Sequence, residues 1–214
     1  MKKIIALALF VSAFTSLQAQ VFLGGQFSFN SYKEKESGSS QGESTVNFVT
    51  LLPRLGYVFG DFVAGLDVGV TSIKSKSPRF GGGTDEGKIN MTTVGPFVRY
   101  VKKPVENIGI WVEAQAGASF GKSSDNGVDD SNLSGFNVGL RPGVIFYIGK
   151  HLSFEASFGR LGFQSQTTKD AQNSSDKYTT TTAGLSLNSN AVLDLFGENP
   201  TVSSGFLFGV NWTF

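Results

Sequence analysis

Large apolar residues recur at every second position through most of the chain beyond residue 20. This period of two is typical of β-strands that have one apolar face. Small or polar residues occupy the positions in between. The pattern predicts an all-β protein with eight strands, over residues 21–31, 46–59, 62–73, 89–102, 108–121, 134–148, 152–166 and 203–214.

The connections between these segments alternate in length. Short connections are predicted at residues 60–61, 103–107 and 149–151. Long polar connections are predicted at residues 31–45, 75–87, 122–132 and 167–202. A sandwich does not require this alternation. An antiparallel transmembrane up-and-down β-barrel does, because its periplasmic turns are short and its extracellular loops are long. Within the last of these stretches, TTTTAGLSLN either extends a strand or forms a hairpin of its own.

The charged residues of the strands lie on the faces opposite to the apolar ones. In a membrane barrel the apolar face contacts lipid and the charges point into the lumen. A two-residue turn at 60–61 places Arg54 opposite Asp67, and the next hairpin places Arg99 opposite Glu113. Because buried charges need partners, we predict an ion-pair network of six lumen residues: Arg54, Asp67, Arg99, Glu113, Arg141 and Glu155.

Arg160 is ambiguous in this pattern. It falls on the apolar face of its segment unless a bulge near Gly159 turns it inward, since a bulge shifts the facing of the residues beyond it. Both orientations remain open at the level of the sequence.

The first 19 residues have the form of a secretory signal peptide. Lys2 and Lys3 precede an apolar run over residues 4–14, and small residues end at Ala19. The run is too short for a transmembrane helix, which needs about 20 residues. We predict cleavage after Ala19, export across the inner membrane, and a barrel domain over residues 20–214.

Composition narrows the possibilities further. The chain has no cysteine, which excludes a lipoprotein anchor and disulfide bonds. Without Lys2 and Lys3 it has 16 basic and 17 acidic residues, so no basic excess favours nucleic acid. The 27 glycines and 20 phenylalanines suit an all-β protein.

Two further motifs mark the strands. A proline is followed four residues later by an aromatic residue in three segments, at Pro53–Tyr57, Pro96–Tyr100 and Pro142–Phe146, which we expect near the periplasmic interface. The sequence ends in FLFGVNWTF, and its large apolar residues stand at alternate positions: Phe206, Phe208, Val210, Trp212 and Phe214.

With the cleavage sequence LQA, these motifs resemble the small eight-stranded outer-membrane β-barrel family of Gram-negative bacteria, of the OmpX and OmpA-barrel type. The resemblance covers residues 20–214. It implies that the terminal strand is an assembly signal, read by the barrel-assembly machinery, and that the protein contacts outer-membrane lipid and lipopolysaccharide as a monomer. Unlike OmpA, no peptidoglycan-binding domain is expected after Phe214.

No catalytic, cofactor or metal site is predicted. GGTDEGKI, residues 82–89, resembles a phosphate-binding loop but has Ile89 where a hydroxyl residue is needed. DNGVDD, residues 125–130, lacks the ligand spacing of a calcium loop. His151 is the one histidine, and it falls in a short periplasmic turn, at the wrong end of the barrel to meet lipopolysaccharide. No pair of a base and a nucleophile can be built elsewhere. We therefore expect a protein that is not an enzyme.

Two functions remain. The first is a structural or surface-interaction role carried by the extracellular loops, since loops on a rigid scaffold often carry function. The second is a narrow, porin-like channel for ions or very small solutes. Eight strands leave an interior that side chains just fill, which favours the first function. No loop motif names a ligand.

Overall fold

The computed structural model describes residues 20–35, 43–79, 83–171, 177–186 and 207–214. The predicted signal peptide, Phe206 and residues 187–202 of the predicted loop 167–202 lie outside these residues. No helix in the described part of the chain is long and apolar enough to span a membrane.

The described residues form ten β-strands. In chain order they are β1 Gln20–Lys35, β2 Glu43–Phe59, β3 Phe62–Pro78, β4 Thr84–Val105, β5 Ile108–Asp125, β6 Val128–Ile148, β7 Leu152–Ser157, β8 Arg160–Asp170, β9 Lys177–Ser186 and β10 Leu207–Thr213.

The strands pair into a closed antiparallel barrel. Each of β1 to β6 pairs with the strand that follows it in the chain, β7 pairs with β10, and β10 pairs with β1. Farther along, β6 leaves β7 and pairs with β8, which in turn pairs with β9. The ring that closes therefore contains eight of the ten strands.

The prediction of eight strands is wrong in number, for two reasons. The predicted strand over residues 152–166 is broken at Phe158 and Gly159 into β7 and β8, because Gly159 has a φ of +69°. In addition, residues 177–186 form a hairpin partner for β8, which was one of the two alternatives for TTTTAGLSLN.

Two of the predicted long loops are much shorter in the structure. Residues 122–132 form a hairpin whose turn is Asn126–Gly127, with φ values of +49° and +83°. Positive φ at both positions is the type I′ geometry that Asn-Gly favours. The segment 75–87 likewise pairs as strand up to Pro78 and from Thr84. Polar residues end the hydrophobic alternation here but leave the backbone ladder intact.

The three prolines interrupt the ladder on one side only. Pro53 is paired with Gly25 of β1, and Pro96 is paired with Leu66 of β3, while the facing hairpin strand skips each proline without a change of register. Only at Pro142 does the register change, where β6 passes from β7 to β8. A proline lacks the N–H that the missing pair would need.

The apolar face of the strands is the outer wall. We call the end that holds the turns at 60–61, 106–107 and 149–151 the near end, and the opposite one the far end. Exposed aromatic residues collect on the outer wall at the near end: Tyr57, Phe62, Tyr100, Phe146, Phe154, Trp212 and Phe214. The strands therefore have the arrangement predicted for a membrane barrel, with apolar residues on the outer wall and charged residues in the lumen.

Candidate functional site

The middle of the lumen contains six buried charged residues, which we call the charged layer. Each is supplied by an inward-facing position of a different strand: Arg54 of β2, Asp67 of β3, Arg99 of β4, Glu113 of β5, Arg141 of β6 and Glu155 of β7. Successive side chains of a strand point to opposite faces. Because the apolar positions of each strand form the outer wall, the positions between them point into the lumen.

Glu113 lies at the centre of the charged layer. One carboxylate oxygen lies 2.7 Å from Arg54 Nη2 and 2.5 Å from Arg141 Nη2. The other oxygen lies 2.8 Å from Arg99 Nη2 and accepts a 3.0 Å bond from Arg99 Nε. A single acid thus joins arginines from three strands.

Glu155 forms a second centre. It accepts a hydrogen bond from Arg99, and Arg54 Nη1 lies 3.8 Å away. Two amides complete its surroundings: Gln26 of β1 donates to one oxygen and Asn211 of β10 donates to the other at 2.9 Å. These amide donors come from the first and last strands of the barrel.

Asp67 has a more peripheral position. Its partner is Arg54, at 3.3 Å, the residue directly opposite it in the ladder. Three arginines therefore meet three acids, and the charged layer is balanced. Removing one member of a buried pair leaves an uncompensated charge, which is far more costly than the pair itself.

Aromatic rings fix two of the arginines from the near-end side. The guanidinium of Arg54 stacks 4.0 Å from the ring centre of Phe97, and that of Arg99 lies 4.0 Å from Trp111. Contacts of this kind are attractive and become stronger when water is excluded. The arginines are thereby held between the carboxylates and the rings.

Two apolar clusters lie in the lumen, one on either side of the charged layer. Along β2, for example, Phe48, Arg54 and Val58 follow one another from the far end to the near end. The near cluster contains Phe22, Val63, Phe97, Val101, Trp111 and Ile145. The far cluster contains Phe48, Ile73, Met91 and Leu133.

Arg160 points into the lumen. The left-handed conformation of Gly159 produces the bulge that turns the following residue inward, so the first of the two alternatives, the apolar face, is excluded. Arg160 Nη2 donates to the carbonyl of Val138 at 3.3 Å, and Nη1 lies 3.4 Å from the side-chain oxygen of Gln164.

A cavity of about 600 Å³ opens at the near end and reaches the charged layer at Arg99. Lys103 and Glu106 lie at its rim, together with His151. The ring of His151 stacks on Trp212, with centroids 5.8 Å apart, and its Nδ1 lies 2.6 Å from the carbonyl oxygen of Thr213. In this position His151 ties the turn to the final strand.

The other two candidate segments lie at the far end, where residues 84–89 belong to β4 and Asn126–Gly127 form the turn between β5 and β6. Lys88 of the segment 82–89 is exposed on β4. In the segment 125–130, Asn126 donates to Asp85 at 3.1 Å and accepts from the backbone N–H of Glu86 at 3.0 Å, which attaches the turn to β4. The side chain of Asp129 lies outside the described residues, and the remainder of the described chain holds no cluster of three or more metal-type ligands.

Sequence reasoning did not identify the polar residues that join the charges across the lumen. Gln26 and Asn211 carry no charge and were not distinguished from other inward polar positions, although their alternation with Phe27 and Val210 placed them on the inner face. On the final strand Phe208, Val210, Trp212 and Phe214 are exposed on the outer wall.

Comparison with known proteins gives a family and two distant structural likenesses. The family model described as outer membrane protein beta-barrel domain matches residues 4–188. Neisserial surface protein A is 11% identical, with 92% of this chain and 99% of that chain covered and a TM-score of 0.44. OprG from Pseudomonas aeruginosa is 11% identical, with 92% and 95% covered and a TM-score of 0.47. No curated protein sequence matches the chain.

Proposed function

Since the chain belongs to the outer membrane protein beta-barrel domain family, we propose that it is an integral outer-membrane protein with a structural or surface-interaction role. In this proposal residues 1–19 direct export and are removed. The barrel is a monomer, inserts through the barrel-assembly machinery, and carries out no catalysis.

The orientation in the membrane follows from the two ends of the barrel. The near end, with its short turns and its ring of exposed aromatic residues, faces the periplasm, and the far end faces the outside. Aromatic side chains favour the interface between lipid and water, and short turns are typical of the periplasmic side of such barrels. The segments that connect strands at the far end are the proposed contact surface for partners.

The single observation that carries the proposal is the closure of the lumen. Glu113 binds arginines from β2, β4 and β6 at distances between 2.5 and 2.8 Å, which ties opposite walls together. The far apolar cluster fills the space on one side of this layer. An ion would have to displace several buried ion pairs and then cross the far apolar cluster, and this favours a role outside the lumen.

One observation favours the alternative, a narrow channel. The near-end cavity of about 600 Å³ extends inward as far as Arg99, so solvent has access to one side of the charged layer. Passage would then depend on transient opening of the Arg99 contacts with Glu113 and Glu155.

Single-channel recording of the refolded full chain in a planar bilayer tests the choice between the two functions. We expect silence, or brief flickers that Arg99→Gln and Glu113→Gln leave unchanged. Long-lived conductance steps that change in size with either substitution would establish the channel and exclude the closed lumen. Lys102→Gln, on an exposed position at the near end, is the control for a change of charge outside the layer.

A further inference from the structure

Lysines cluster on the outer wall at the far end of the barrel. Lys74 of β3 has the same facing as Val70, and Lys169 of β8 has the same facing as Phe163, so both point away from the lumen. Two more exposed lysines lie on the adjacent strands, Lys88 on β4 and Lys177 on β9. We call these four residues the rim lysines.

The rim lysines face each other in two like-charged pairs. Lys74 is the direct ladder partner of Lys88, and Lys169 is the direct partner of Lys177. Side chains that stand directly opposite in an antiparallel ladder have Cβ atoms about 5 Å apart, and like charges there are destabilising. A negative group between or above the two lysines of such a pair would reduce this repulsion.

Two other lysines on the same rim have acidic partners. Lys76 forms an ion pair with Glu86, its direct ladder partner, and Lys33 lies 2.7 Å from Glu43. The salt bridges among the described residues include none that involves a rim lysine. Glu86 also attracts Lys74 at longer range, but it forms its ion pair with Lys76, so each of the two rim pairs keeps an excess of positive charge.

The height of the rim lysines on the wall matches a lipid headgroup. On β3 the outward positions change from Val70 through Ser72 to Lys74. On β8 the apolar outward positions end at Phe163 and lead through hydroxyl residues to Lys169. Lysine stems lie along apolar surface while the ammonium group reaches the polar layer. The two pairs thus lie just beyond the apolar band, where headgroup phosphates would be.

We propose that each pair of rim lysines binds a phosphate of an anionic lipid in the outer leaflet, the phosphorylated headgroup of lipopolysaccharide. This inference rests on the proposed orientation, in which the far end faces outward. Lysine binds phosphate as a compact point charge, and two ammonium groups on adjacent strands can contact one phosphate from both sides. The bound anion would remove the repulsion within each pair.

The test uses the refolded full chain in zwitterionic detergent, with bisphosphorylated lipid A as the probe. The thermal midpoint of the folded form is measured from its shifted gel band. The test variant is Lys74→Gln with Lys88→Gln. The matched control is Lys33→Gln with Lys76→Gln, which removes the same charge from the same rim at lysines that have acidic partners.

We expect lipid A to raise the midpoint of the wild type. The test variant should lose at least half of this rise and bind the lipid at this pair roughly thirtyfold more weakly, in line with the loss of two lysine–phosphate attractions. In detergent alone the test variant should be at least as stable as the wild type, because a repulsive pair is gone. The control variant should keep most of the rise.

Several results would overturn the inference. One is an equal rise with dephosphorylated lipid A, and another is an undiminished rise in the test variant. If the control variant loses as much of the rise in thermal midpoint as the test variant, the effect depends on overall charge alone. If inorganic phosphate raises the midpoint as much as lipid A does, the ligand is a soluble anion. A wild-type chain that never yields a folded, heat-modifiable form in lipid or detergent would instead contradict the proposed function itself.

Discussion

Arg54 lies directly opposite Asp67 across β2 and β3, yet its guanidinium is closer to Glu113, at 2.7 Å, than to Asp67, at 3.3 Å. The ladder decides which residues are neighbours along the wall. The curvature of the barrel then brings residues together across the lumen. The contact with Glu113 belongs to the second kind, and the behaviour of variants depends on both.

Arg54→Ala should lower the free energy of unfolding by about 3 kcal/mol, because breaking a buried ion pair leaves an uncompensated acid. Adding Asp67→Asn restores the balance of charge and should recover at least about 1 kcal/mol, as expected for coupled neighbours. The lost stacking on Phe97 is common to both variants and cancels. Urea unfolding of the refolded barrel gives the cycle. Strictly additive effects would mean that the two residues are not coupled.

Glu113→Gln should be more damaging than Asp67→Asn, although both remove one negative charge. Glu113 contacts three arginines, whereas Asp67 contacts Arg54. A hydrogen bond to a charged group is worth about 1.5–3 kcal/mol, so we expect a difference of about 2 kcal/mol in the free energy of unfolding. The same urea titration measures both variants. Equal losses would contradict the central place of Glu113.

Gly159→Ala should destabilise the barrel by about 1–2 kcal/mol, because a side chain is disfavoured in the left-handed region. Gly159 has a φ of +69° and produces the bulge before Arg160. Gly25→Ala is the matched control, since its added Cβ would meet the Leu52 carbonyl oxygen at an ordinary 3.6 Å. Unfolding midpoints of the two variants should differ clearly. If Gly159→Ala is as mild as Gly25→Ala, the bulge does not depend on glycine.

Replacing Trp212 and Phe214 with serine should reduce the folded barrel in the outer membrane by at least half. Both side chains are exposed at the near end of the outer wall, and we expect the assembly machinery to read them. The control replaces Phe120 and Phe136, which are equally exposed on β5 and β6. Heat-modifiable migration on gels measures the folded form. Equal losses in both double variants would assign the terminal aromatics to lipid contact alone.

Processing gives an independent test of export. We expect a mature chain that begins at Gln20, because the segment that ends at Ala19 has the small-residue cleavage pattern. Amino-terminal mass spectrometry of outer-membrane fractions checks this. A membrane-bound chain that retains Lys2 and Lys3 would contradict the signal peptide.

The pairing of facing residues in the strands could be predicted well from the sequence, but the contacts across the lumen only in part. A hairpin with a known turn fixes every facing pair, so the turn at 60–61 was enough to place Arg54 opposite Asp67. Arg141 is likewise the direct ladder partner of Glu113, but the contact of Arg54 with Glu113 depends on the stagger with which the barrel closes. That stagger is a property of the whole ring, and no local pattern contains it.

The ends of the strands were harder to predict, for a different reason. Hydrophobic alternation disappears where both faces of a strand are in water, so residues 122–132 were interpreted as a loop. The dipeptide Asn126–Gly127 was the better guide, because it favours a two-residue turn whatever its polar flanks. The direction of Arg160 depended in the same way on one backbone angle, at Gly159.

The contacts around Glu155 also bear on the timing of assembly. Gln26 of β1 and Asn211 of β10 both donate to Glu155. Both lie within the six residue pairs that join β1 to β10, one on each strand. A chain in which β10 is not yet in place can neither close this seam nor supply the amide of Asn211 to Glu155. The polar interior of the described barrel is therefore complete only once β1 and β10 have paired.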